Sequence, residues 1–351
     1  MTTYLITGAQ GFLGRYLVAH LLEHEPDCRI VGLGRSPRND ESFTHQILLG
    51  QQNTPAPLTD ALRAVAGDER YSYVQADLSQ MAQMVGTLRD VRPGVIFHLA
   101  SALRDDPVDI LFQTNVVGSV RLLEAVAAAQ LGDPKVVLAS SGGVYGIPLP
   151  DSLPLDEQAV CRPNDYYSIS KLSSEQATAL IAKHSRIPTV TGRIFNVVGP
   201  GQDERHVCGR IISQLAAIGS GATSAVRIGA LETTRDFIDV RDVAAALACL
   251  SRHGAKGETY NVASGQETSI QQVLDLSLDV ADLADRVEVH HLPGRPADIP
   301  RHFGSNERLG QLGFELQYSL RQSLADILGY YRGCWAQAEE QAAAKTSPES
   351  S

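Results

Sequence analysis

Short apolar runs alternate with longer amphipathic ones through the first half of the chain. Tyr4–Thr7, Arg29–Leu33, Tyr71–Gln75, Val95–Leu99, Lys135–Ala139 and Thr189–Phe195 read as strands with little polar interruption. Ser79–Asp90, Ile110–Gln130 and Tyr166–His184 carry apolar residues at helical spacing. Short strands separated by helices predict an α/β fold, a doubly wound parallel sheet covered on both faces. The polar, proline-containing gap Ser36–Asp68 reads as a surface insertion with one helix near Leu58–Ala66. Beyond Phe195 the alternation loosens, and loops such as Val198-Gly199-Pro200-Gly201 and Leu292-Pro293-Gly294-Arg295-Pro296 interrupt shorter elements. These predict a smaller, mixed α/β domain closing over the carboxyl edge of the sheet, where open α/β folds bind ligands. The expected division is 1–194 for the sheet domain, with 236–264 packing back onto it, and 195–335 for the smaller domain. Residues 336–351, rich in Ala, Glu and Ser, read as a frayed helix and a disordered tail.

Composition changes this picture only by exclusion. A net charge of -10 over 351 residues argues against a nucleic-acid partner or an anionic membrane surface. No apolar run is read as long enough to span a bilayer and no leader precedes the first strand, so a cytoplasmic location is expected. Cys28, Cys161, Cys208, Cys249 and Cys334 are scattered and read as reduced thiols. No metal site is expected.

Candidate chemistry starts at the first strand–helix junction. Thr7-Gly8-Ala9-Gln10-Gly11-Phe12-Leu13-Gly14 places three glycines between an apolar run and an amphipathic one. Such a turn lets backbone approach a pyrophosphate, and the unpaired N–H groups of the following helix favour an anion there. Much later, Tyr167 and Lys171 stand four apart in Asp165-Tyr-Tyr-Ser-Ile-Ser-Lys171, on one helix face. An ammonium beside a phenol favours the phenolate and draws a group of pKa about 10 toward neutral pH. Upstream, Ser140-Ser141-Gly142-Gly143-Val144-Tyr145 follows the strand Val136–Ala139, which puts small hydroxyls at a strand's carboxyl end.

Together these residues resemble the extended short-chain dehydrogenases/reductases, the NAD-dependent epimerase/dehydratase family, over Tyr4 to about Arg332. Further matching segments are Ala76-Asp77-Leu78, Phe97-His-Leu99-Ala100-Ser101, Asn115-Val-Val-Gly118 and Arg193-Ile-Phe195-Asn196-Val-Val-Gly-Pro-Gly201. The resemblance implies a Rossmann-type cofactor domain and a nucleotide-sugar substrate domain. It implies Tyr167 as general acid/base, Lys171 as ribose ligand and modulator of the Tyr pKa, and Ser141 as hydrogen-bond donor to the substrate carbonyl. It assigns Gly8, Gly11, Phe12, Leu13, Gly14, Arg35, Asp77, Leu78, Leu99, Ala100, Ser101, Asn115, Tyr167, Lys171 and Phe195 to the cofactor. Ser141, Asn196, Arg235 and Arg295 are assigned to the substrate, the two arginines gripping its diphosphate. Members commonly form homodimers through helices matching Ile110–Gln130 and Tyr166–His184.

Aligning strand ends puts Gly34 where NAD-binding members carry an acid, with Arg35 immediately after. A missing carboxylate and an added guanidinium suit a 2′-phosphate, so NADP(H) is expected ahead of NAD(H), with Arg38 as a second contact. Within the family the chain is most similar to the branch that reduces GDP-4-keto-6-deoxy-mannose. The expected reaction is NADPH-dependent reduction of the C4 ketone of a nucleotide-linked 4-keto-6-deoxyhexose. A 4-epimerase with retained NAD is the alternative. Dehydration is disfavoured because Gly142 and Gly143 stand where related dehydratases carry acids, and a silent dinucleotide sensor is disfavoured because Tyr167 and Lys171 both survive.

Overall fold

A computed structural model describes residues 1–50, 52–284, 286–292 and 299–346. Its first strands are β1 (Thr2–Thr7), β2 (Cys28–Gly34), β3 (Ser42–Leu49), β4 (Gln52–Pro57), β5 (Tyr71–Gln75), β6 (Val95–His98), β7 (Lys135–Ser141) and β8 (Thr189–Ile194). Later come β9 (Asn196–Val198), β10 (Ala225–Ile228), β11 (Thr234–Arg235), β12 (Phe237–Asp239), β13 (Thr259–Val262), β14 (Thr268–Ser269), β15 (Glu288–His291) and β16 (Arg301–His302). The helices are α1 (Phe12–His24), α2 (Asp60–Ala66), α3 (Met81–Val91), α4 (Val108–Leu111), α5 (Gly118–Ala129), α6 (Tyr166–Ser185), α7 (Val207–Gly219), α8 (Val240–His253), α9 (Ile270–Ala281), α10 (Glu307–Gly310) and α11 (Leu320–Thr346).

Seven strands form one sheet in the order β13-β8-β7-β6-β1-β2-β5, all parallel. Each of the six strands read from the sequence is present, and β13 joins from the second half. Alternate side chains of a strand point to opposite faces, so each strand feeds two cores. Tyr4, Ile6, Ile30 and Phe97 pack with Leu17, Leu21 and Leu247 on one face. Leu5, Val31 and Ile96 pack with Leu88, Leu122 and Val126 on the other. Parallel strands end on the same side, and the order reverses between β1 and β6, which opens a crevice at their carboxyl ends.

Two expectations are corrected. The run Val108–Ala129 is long and apolar enough to cross a membrane by length and composition. Here one face of it packs against α3 and α6, with a six-residue π-helical segment, Phe112–Val117, in its middle. Residues 336–346 continue α11, as an Ala-rich stretch of high helix propensity allows, and the expected tail at 347–351 lies outside the described residues.

The second correction concerns Ser36–Asp68, which is not a surface excursion. It holds the antiparallel hairpin β3–β4 as well as α2. Phe43, Ile47, Ala56 and Leu58 are buried in the larger core. Phe43 meets Phe12 edge-on, with centroids 5.8 Å apart. The hairpin is tied to the second half by His45 Nε2 to the Gly201 carbonyl (2.7 Å), Leu48 N–H to Glu204 (3.0 Å) and Tyr330 OH to the Pro57 carbonyl (3.0 Å). Its apolar residues are too few and too irregularly spaced to signal a strand pair by alternation, since the register shifts between Ser42 and Gln46. Phe43→Ala is expected to destabilise the protein by roughly 3–5 kcal/mol in a urea titration. A loss below about 0.5 kcal/mol is what a surface insertion would give.

Candidate active site

The glycine turn after β1 depends on two close approaches. Gly8 has φ +73°, and a Cβ there would lie 2.9 Å from the Ala100 backbone. At Gly14 a Cβ would lie 2.3 Å from the Gly8 carbonyl. Helix α1 begins at once, with Gly11 as N-cap and no side-chain cap. The first-turn N–H groups of Phe12, Leu13 and Gly14 therefore face the loop mouth unpaired by a cap, as an anion site requires.

A cavity of about 410 Å³ opens in front of this turn. Gly8, Gly11, Arg35, Asp77, Leu78, Leu99, Ala100 and Ser101 all line it, together with Gln10, Gly34, Ser36, Thr44, Tyr73 and Arg121. The Phe12 ring turns away onto Tyr16 and Phe43, leaving its backbone to the loop. Asn115 and Phe195 stand behind the wall rather than on it. Asn115, in the π-helical segment, accepts from Ser101 Oγ (2.9 Å) and Ala102 N–H (2.8 Å) and donates to Ser170 Oγ (2.9 Å). It braces the β6 end against α6. Phe195 packs beside Tyr145 and His302, under the Gly142 turn.

Gly34 is more than a missing carboxylate. A Cβ there would lie 2.7 Å from the Tyr73 hydroxyl, which donates to the Ser36 carbonyl (2.8 Å). Tyr73 thus occupies the place of a side chain at position 34 and fixes the Arg35–Ser36 turn. Arg38 is engaged elsewhere, paired with Asp40 (2.8 Å) and donating to the Ala66 carbonyl (2.5 Å). Arg121 also lines the cavity, with Nη1 on the Ser79 carbonyl (3.2 Å) and Nε buried without a partner. The open N–H turn and the orphaned Nε both fit a group rich in acceptors, such as a dinucleotide.

Beside the cavity, Asp165 caps α6 by accepting the Ser168 N–H (2.8 Å), so the helix starts at Tyr166 and places Tyr167 and Lys171 in its first two turns. Lys171 is buried and donates from Nζ to the Ala139 carbonyl (2.6 Å) near the end of β7. Burial lowers its pKa to about 8. Two residues on, Ser141 Oγ accepts the Gly143 N–H (3.1 Å), so its own proton is available to another acceptor. Burial raises the Tyr167 pKa, while Arg104 and the Ser141 hydroxyl pull it down and Asp165 pushes it up. The structure therefore brings Ser141, Tyr167 and Lys171 to one edge.

Below them runs a polar spine. Thr7 Oγ1 and Ser119 Oγ each lie 2.8 Å from a ring nitrogen of buried His98, whose pKa falls to about 3, so the ring is neutral. Arg193 pairs with Glu175 (2.8 Å), which also accepts from Ser140 Oγ, and the guanidinium lies over the Tyr145 ring at 4.9 Å. Tyr145 OH donates to Asn261 Oδ1 (2.7 Å).

On the substrate side, Asn196 is exposed and donates to the Asp236 carbonyl (2.9 Å). Arg235 is half-buried and donates from Nη1 to the Thr234 and Ile299 carbonyls, each at 2.7 Å. Arg295 lies outside the described residues. His20 and His24, four apart on α1, stack with centroids 4.3 Å apart. Among the described residues no group of three or more His, Cys, Asp or Glu could hold a metal.

Sequence reasoning missed Arg104. It pairs with Asp165 (3.2 Å) and lies over the Tyr167 ring at 5.7 Å, from the loop after β6. Nothing in a lone loop arginine signals that contact. Arg104→Gln is expected to raise the Tyr167 pKa and Asp165→Asn to lower it. Each change should be a few tenths of a pH unit, the scale of a solvent-screened pair worth about 0.2–1 kcal/mol. NMR of ring-labelled tyrosine, with the resonance identified by its loss in Tyr167→Phe, reads both; shifts of equal sign would contradict this electrostatic account.

Comparison with known proteins agrees with this geometry. Residues 4–263 match the model of the NAD dependent epimerase/dehydratase family. The chain is 29% identical over 331 residues to the GDP-6-deoxy-D-mannose reductase of Pseudomonas aeruginosa, covering 92% of this chain and 95% of that protein. It is 30% identical over 336 residues to a UDP-glucose 4-epimerase of Mycolicibacterium smegmatis, covering 93% and 98%. Among solved structures, RMD from Pseudomonas aeruginosa complexed with NADPH superposes with a TM-score of 0.76 at 26% identity, covering 95% of this chain and all of that one.

Proposed function

Since the chain belongs to the NAD dependent epimerase/dehydratase family, we propose that it is an NADPH-dependent reductase of a nucleotide-linked 4-keto-6-deoxyhexose. The observation that carries this reading is the edge formed by Ser141, Tyr167 and Lys171 beside a cavity whose ribose end has Gly34 and Arg35 in place of an acid. The reductase relative, and the NADPH in its structural neighbour, support it.

The N–H groups of the glycine turn would hold the cofactor's diphosphate, Asp77 and Leu78 its adenine side and Arg35 a 2′-phosphate. NADPH, when bound, supplies a hydride to the ketone carbon. Ser141 Oγ, its lone pair held by Gly143 N–H, donates a hydrogen bond to the ketone oxygen. Tyr167 gives its proton to that oxygen as negative charge develops there. Lys171, cationic at neutral pH, favours the resulting phenolate and has donors beyond the one spent on Ala139 for a ribose hydroxyl. Arg235, with Arg295, would bind the substrate diphosphate.

A dehydratase is disfavoured, because Gly142 and Gly143 stand where it would carry acids. A Cβ at Gly143 would lie 2.6 Å from Ser168 Oγ and one at Gly142 would lie 3.1 Å from the Phe195 ring, so acids at these positions would require both neighbours to shift. The epimerase relative keeps one alternative open, a 4-epimerase that purifies with NAD and turns over without added cofactor. Self-association would use α4–α5 and α6, where Val108, Ile110 and Leu180 are exposed.

Mixing the protein with NADPH and GDP-4-keto-6-deoxy-mannose is expected to consume NADPH stoichiometrically, and dTDP-, CDP- and UDP-linked ketosugars grade its preference. No consumption with any of them contradicts the reductase. Tyr167→Phe should lower kcat at least about 100-fold. In the wild type, kcat/KM should fall as pH rises through about 8, where Lys171 loses its proton and the phenolate loses its cation; a rate still rising at that pH contradicts the assignment.

A further inference from the structure

The hairpin β3–β4 lies beside the cofactor cavity and is absent from the reading of the site given above, apart from Thr44 in its wall. Two buried side chains of the glycine turn and α1 hold it in place. Gln10, 4% exposed, donates to the Pro37 carbonyl (2.9 Å) and accepts the Asn39 N–H (2.5 Å). Arg15, 5% exposed, donates to the Asn39 and Ser42 carbonyls. The Arg35–Ser36–Pro37 turn and the start of the hairpin are thus stitched to the same loop.

The pairing of β3 with β4 shifts register between Ser42 and Gln46, so Phe43, Thr44 and His45 lie in an irregular stretch. Such irregularities re-aim side chains. Phe43 turns inward against Phe12, and His45 packs on Phe43 and bonds Gly201. Thr44 between them is exposed and faces the cavity that Arg35 and Ser36 also line. With Tyr73 filling the place of a side chain at Gly34, this end of the cavity presents a guanidinium and two hydroxyls, and Asp77, just after β5, is the one carboxylate among the described residues that line the cavity.

We propose that the hairpin is a cofactor-selectivity element in which the Thr44 hydroxyl, beside Arg35 and Ser36, completes a pocket for a phosphate on the adenosine ribose. The inference rests on the NADPH reading above. It assigns part of that selectivity to a segment outside the strand-end position where Arg35 stands. A hydroxyl donating to a charged phosphate oxygen is worth about 1.5–3 kcal/mol, or 10-fold and more in affinity.

Calorimetric titration of the full chain with NADPH and separately with NADH tests it without turnover. Thr44→Val is expected to weaken NADPH binding about 10-fold and leave NADH binding within about 2-fold. Thr44→Ser, which keeps the hydroxyl, is expected to bind NADPH like the wild type. Unchanged NADPH affinity in Thr44→Val overturns the proposal, as does an equal loss for both cofactors, which would place the hydroxyl on the shared diphosphate. A valine effect that serine does not rescue also overturns it, since packing would then be the cause. Equal wild-type affinity for NADPH and NADH is a separate outcome, and it overturns the NADPH reading itself.

Discussion

One hydrogen bond, from Lys171 Nζ to the Ala139 carbonyl, holds the chemistry in register. A buried ammonium is tolerated only where its donors find acceptors. Ala139 stands one residue past the last β6 pairing of β7, His98 with Leu138, while β8 continues to pair through Ser141. The bond clamps the first turns of α6 onto the strand that carries Ser141. It fixes Tyr167 one turn before the ammonium and beside the serine hydroxyl. Without it, a phenol and a hydroxyl on separate elements have no reason to meet.

The rest of the structure defends that clamp from both sides of the sheet. Asn115 ties the β6 end to Ser170, and His98 links Thr7 to Ser119, so hydrogen bonds join β1, β6, α5 and α6. On the other flank the Glu175–Arg193 pair, buried at 9% exposure on each side chain, joins α6 to β8 and through Tyr145 to Asn261 on β13. A buried pair of this kind adds little net stability over apolar packing, but breaking it costs about 3–5 kcal/mol. Its value here is geometric. It holds α6 at a fixed height above the strand ends, where an ångström decides whether a proton transfers.

Much of this was legible in the chain. Runs such as Leu5-Ile6 and Val136-Val137-Leu138 are buried on both faces and read as parallel strands without ambiguity. The glycine turn and the Tyr167/Lys171 spacing carry their chemistry in local sequence, because a turn and a helix face are local objects. What stayed hidden is non-local or irregular. The β3–β4 hairpin lacks strict alternation, and its core residues Phe43 and Ile47 find their partners on α1 and in the second half. Tyr73 fills the space at Gly34 from a neighbouring strand, and Arg104 reaches Tyr167 from another loop. The bracing role of Asn115 depends on a π-helical turn that propensity does not announce. Of the paired arginines, Arg235 meets the carbonyl of Ile299, four residues beyond Arg295 in the chain.

The most direct test is an experimental structure with NADP(H) bound. The account predicts the nicotinamide above the β6 and β7 ends, with Tyr167 Oη positioned to share a proton with a ketone at the ring and Lys171 Nζ within about 2.6–3.2 Å of a ribose hydroxyl. A nicotinamide lying away from α6, with Lys171 bonded only to Ala139 and the phenol facing bulk solvent, would contradict it.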